Sequence, residues 1–70
     1  MQATFSGHTA QQIIKAATTD ANGQQWITID GISYQITAHG RVELANGNWA
    51  KTVVLQALVD DQVRRIVLEA

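Results

Sequence analysis

The sequence predicts an α+β fold: a short N-terminal helix over about residues 10–18, then an antiparallel meander of about five strands able to curl into a small open barrel. Three observations predict it. Asp30-Gly31 sits between two alternating runs in Gln24–Thr37, and this is the strongest short-range hairpin signal. Asn46-Gly47 and Asp60-Asp61 offer further tight turns along the rest of the chain. A single apolar stripe at helical spacing precedes all of them.

The first residues, 1 to 7, read as a short strand or an unstructured start, with Phe5 expected to be buried. Thr9 is a good N-cap, and Gln12 three residues on completes a capping-box pattern. Ala10, Ile13, Ile14 and Ala17 then fall on one face. Thr18, Thr19, Asp20, Asn22 and Gly23 favour turns and end the helix. So short a helix is unstable alone, so its stripe must be docked.

A two-residue turn at Asp30-Gly31 opposes Ile29 to Ile32, Ile27 to Tyr34 and Gln25 to Ile36. One face then carries Ile27, Ile29, Ile32, Tyr34 and Ile36. The other carries Trp26, Thr28, Ser33, Gln35 and Thr37. A three-residue loop at His39–Arg41 would oppose Ala38 to Val42 and Ile36 to Leu44, keeping the apolar face continuous. Asn46-Gly47 would oppose Leu44 to Trp49. Residues 49–59 fit a helical template through Ala50, Val53, Val54, Ala57 and Leu58, which gives the alternative of a three- to four-stranded sheet with two helices. The β-branched Thr52-Val53-Val54 run and the flanking turns favour a strand. An Asp60-Asp61 turn would oppose Leu58 to Val63 and Leu55 to Ile66.

Seventy residues make one domain, 1–70, near the lower limit of independent folding. There is no cysteine to supply a disulfide or thiolate site, so extra stability must come from packing or self-association. The formal net charge of −1 creates no field for nucleic acid or anionic membrane. No apolar run is long enough to span a bilayer, and the N-terminus lacks the pattern of a signal peptide. The expectation is a soluble, cytoplasmic protein with no membrane partner.

Little in the chain suggests catalysis. His8 precedes the helix and His39 sits at a proposed loop tip, with no spacing that pairs them. Asp60 and Asp61 read as turn residues. Asp20, Asn22 and Gly23 resemble the start of a calcium loop, but its twelfth position is Gly31 instead of glutamate. No nucleotide-binding, nucleophile-elbow or zinc-protease motif is present. The expectation is a non-enzyme with no catalytic residue, cofactor or metal.

Trp26 lies on the polar face of the first hairpin, either as an interface anchor or as a packed aromatic. Val63, Ile66, Val67 and Leu68 make the last strand apolar on both faces, and such a strand is normally covered on both. A second copy of the chain is the simplest cover. The reading is a small interaction module, an adaptor or inhibitor, that binds a protein partner or itself as a homo-oligomer through an exposed sheet face or the apolar C-terminal hairpin. Its candidate contact residues are Trp26, Gln35, Arg41, Val63, Arg65 and Val67. The alternative is a small nucleic-acid-binding barrel using Trp26, Tyr34, Arg41 and Arg64.

Overall fold

The computed structural model describes residues 2–70 as one six-stranded sheet with one helix packed on it. The elements in chain order are β1 (Gln2–Ser6), α1 (Gly7–Lys15), β2 (Thr18–Thr19), β3 (Gln25–Ile29), β4 (Ile32–Glu43), β5 (Trp49–Val59) and β6 (Gln62–Glu69). The strand order is β1-β6-β5-β4-β3-β2. The sheet therefore has six strands rather than five. β1 and β2 are its two edges and do not pair with each other, so it stays open and does not close into a barrel. Residues 49–59 are strand, not helix. No helix among the described residues is long and apolar enough to cross a membrane.

Turn chemistry sets most of the register. Asp30 and Gly31 both have positive φ, 51° and 79°, as a type I′ turn requires. Ile29 faces Ile32 and Ile27 faces Tyr34 as the spacing predicts, and the ladder ends at Trp26 with Gln35. Asp60 (φ 51°) and Asp61 (φ 62°) form the same kind of turn and oppose Leu58 to Val63 and Leu55 to Ile66. Two non-glycine residues in the left-handed region cost conformational energy. Asp61→Gly is expected to raise the urea midpoint by an amount worth about 0.5–1 kcal/mol. An unchanged or lower midpoint would show that the aspartate is not strained there.

The helix starts earlier than its capping box suggests. Ser6 is the N-cap, without a side-chain cap bond, and Thr9 lies inside the first turn. The cause is tertiary: β1 runs parallel to β6, with Phe5 against Leu68 and Ser6 against Glu69, and Gly7 at φ 60° turns the chain directly into the helix. The helix also ends earlier, at Lys15, where the Ala16 and Ala17 N–H groups donate to the Ile13 and Ile14 carbonyls. Thr18, the last residue of the predicted helix, and Thr19 beyond it instead pair with Trp26 and Gln25 as a short edge strand.

There is no loop at His39–Arg41. β4 continues to Glu43 against β5, with an irregularity between Ile36 and Ala38: Ile36 opposes Leu55 and Ala38 opposes Val54. Thr37 is the extra residue of a β-bulge, and its hydroxyl donates to the Val54 carbonyl at 3.3 Å. The bulge reverses the facing of the strand beyond it. His39 and Arg41 then oppose Val53 and Lys51, while Val42 opposes Ala50. The turn near Asn46-Gly47 is one residue out from expectation, with Glu43 opposite Trp49. Leu44 and Asn48 close it, and Gly47 takes φ 83°.

The main core cluster lies on one face, and Ala50 is buried apart from it at the start of β5. Ala10, Ile27, Tyr34, Val53, Leu55, Ile66 and Leu68 are buried together, with Phe5, Ile13, Ile14, Ala17, Ile29, Ile32 and Ile36 packed around them. The helical stripe read from the sequence packs on this core at the β1–β6 end of the sheet. No described residue forms a second layer on the opposite face of the sheet.

Candidate interaction surface

The uncovered face carries one row of side chains that crosses every strand. Pairing places Thr18 beside Trp26, Trp26 beside Gln35, Gln35 beside Gln56, Gln56 beside Arg65 and Arg65 beside Gln2. Three of the sequence-derived candidates, Trp26, Gln35 and Arg65, therefore belong to this row. With its amide oxygen turned to the guanidinium, Gln56 accepts from Arg65 Nη2 at 2.9 Å and from Nε at 3.2 Å. Apolar pairs flank the row on both sides. Val54 opposes Val67 on one side, and Leu58 opposes Val63 on the other. Leu58 is 71% exposed and Val63 is 54% exposed. A shallow depression between row and hairpin is lined by Gln35, Thr37, Gln56, Ala57, Leu58 and Val63.

Arg41 does not join this surface. The bulge puts it opposite Lys51, on the opposite side of the sheet from Gln35. Thr18, Gln56 and Gln2 are members that the sequence does not single out, although the Asp60-Asp61 register already places Gln56 beside Arg65.

Trp26 is held from below by the turn before it. Its indole Nε1–H donates to Asp20 Oδ2 at 2.9 Å, while Asp20 Oδ1 accepts the backbone N–H groups of Asn22 (2.9 Å) and Gln24 (3.0 Å). The stretch that resembles a calcium loop is thus a clasp for an aromatic ring. The indole hydrogen bond has the largest effect and holds the Asp20 carboxyl below the ordinary value of 3.8; desolvation opposes it, and the two backbone bonds each add a smaller lowering. A carboxyl with a depressed folded-state pKa contributes stability at pH above its unfolded value. That contribution fades as pH falls from about 4 through the lower folded value. Trp26 emission should change over the same acid range, and Asp20→Ala should remove the transition. A transition that survives in Asp20→Ala belongs to another carboxylate.

The other chemistry-bearing residues stay apart. His8 is in the first turn of α1 and His39 is in β4, both exposed. No cluster of three or more His, Asp or Glu placed to hold a metal occurs among the described residues. The nucleic-acid candidates are split: Tyr34 is buried in the core, Arg64 shares the core side, Arg41 is on the β4–β5 arm, and Trp26 is on the uncovered face. They do not form one stacking platform. Comparison of the chain with protein-family models, curated proteins and solved structures finds no match.

Proposed function

We propose that this chain is a small non-catalytic protein-interaction module, an adaptor or inhibitor, that binds protein through the uncovered face of its sheet. The observation that carries the reading is the cross-sheet row Trp26–Gln35–Gln56–Arg65 set between apolar pairs, with Leu58 and Val63 left largely in solvent. Aromatic and arginine side chains beside exposed aliphatic ones are the composition of interface centres. The Gln56–Arg65 bond and the Asp20–Trp26 clasp hold the polar members in place before contact, which lowers the ordering cost of binding. A second copy of the chain is among the partners, because the same face is self-complementary in its apolar strips. Trp26 is an anchor at one end of the row, so Trp26→Ala should weaken binding about tenfold or more. The same change should cost little in urea unfolding; a loss of several kcal/mol, of the size seen for core aromatics, would assign it to packing instead.

The test is capture of cellular protein by the immobilised chain and by the double variant Leu58→Glu, Val63→Glu. The wild type should retain a partner that the variant releases, while both keep the same far-ultraviolet circular dichroism. Identical captures would remove this face from the reading.

A further inference from the structure

The opposite side of the sheet holds a second site. The helix covers only one end of the concave face, packing on β1 and β6. Beyond it the curl of the sheet brings β1, β6, β4 and β3 around one cavity of about 190 Å³. Phe5, Ile29, Ile32 and Ile66 line it together with the charged residues Asp30, Arg64 and Arg65. Cavities of about 150 Å³ accept benzene, so this one has room for a small organic molecule.

Two polar groups there lack partners. Tyr34 lines the cavity; its hydroxyl makes no protein hydrogen bond, and since Thr52 Oγ1 is the only buried side-chain polar atom without a partner among the described residues, the Tyr34 hydroxyl opens to solvent in the cavity. Because the rest of the side chain is packed in the core, the cavity is where that hydroxyl can be satisfied. Arg64 is half-buried and makes no ion pair among the described residues, although Asp30 lines the same cavity. Its neighbour Arg65 is already bound to Gln56.

We propose that this cavity binds a small amphiphilic carboxylate, its apolar part among Phe5, Ile29 and Ile66, with Tyr34 and Arg64 as hydrogen-bond donors to the acid group. Burial of the hydrocarbon supplies the affinity, and the charge-assisted bond from the guanidinium selects an anion. The site is independent of the protein-binding face and stands or falls separately.

The test is a methyl and amide NMR titration of the full chain with hexanoate, hexanol and hexylammonium in turn. Hexanoate should shift the Phe5, Ile29, Tyr34 and Ile66 signals at millimolar concentration, about tenfold more tightly than hexanol, the factor of one charge-assisted hydrogen bond. Arg64→Gln should abolish that preference. Tyr34→Phe, which keeps the ring and the packing, should weaken hexanoate several-fold. No shift at the cavity, shifts centred on Leu58 and Val63 instead, equal affinity for hexylammonium, or an undiminished preference in Arg64→Gln would each overturn the proposal.

Discussion

Leu55→Ala is expected to leave the chain largely unfolded. Leu55 is fully buried, at the centre of β5, with Ile36 on one side and Ile66 on the other. Truncating such a leucine costs about 2–5 kcal/mol, the lost transfer energy plus the cavity left behind. A domain of this size, with no disulfide, has only about 3–5 kcal/mol of stability from a single core. The sheet cannot easily collapse onto the gap, because β5 is hydrogen-bonded to a strand on each side. Urea denaturation followed by circular dichroism measures the loss. A cost below about 1 kcal/mol would mean that the core is less tightly packed than its burial implies.

The second large effect concerns association. Leu58→Glu with Val63→Glu is expected to reduce protein binding by at least a hundredfold while leaving the fold intact. The two side chains oppose each other on β5 and β6 and are already largely in water, so changing them removes no core contact. Two carboxylates placed across from one another at a docking surface would have to be desolvated and brought together by any partner. Like charges directly opposite on antiparallel strands also destabilise the hairpin, by up to about 1 kcal/mol. The variant should therefore show a slightly lower urea midpoint beside a far larger loss of binding.

Local chemistry explains which parts of this fold can be read from the sequence. Asp30-Gly31 and Asp60-Asp61 dictate their own turns, and each turn fixes a register, so the pairs Ile27–Tyr34 and Leu55–Ile66 follow from residues that are neighbours along the chain. The helical stripe Ala10–Ile13–Ile14–Ala17 is equally local. The parallel pairing of β1 with β6 is not local: it joins the two ends of the chain with no connecting turn, and it overrides the capping box at Thr9 by drawing Phe5 and Ser6 into the sheet. The bulge at Thr37 has no signature, because a threonine there fits the alternation of a regular strand equally well. Gly40 then reads as a loop although its backbone is not in the left-handed region. That single extra residue is why Arg41 parts from Trp26, whereas Gln35 and Arg65 stay with it. The Asp20 turn is visible in sequence, but its hold on the Trp26 indole, six residues on, depends on β2 pairing with β3.

Native mass by light scattering across a dilution series tests, without knowledge of any other partner, whether the uncovered sheet face is covered by protein in solution. The wild-type chain should exceed its monomer mass of 7.6 kDa at high concentration and approach it on dilution. The Leu58→Glu, Val63→Glu variant should stay at monomer mass throughout while keeping its circular dichroism. A wild-type mass fixed at 7.6 kDa at every concentration, or an assembly that the variant leaves unchanged, would contradict the assignment of that face to self-association.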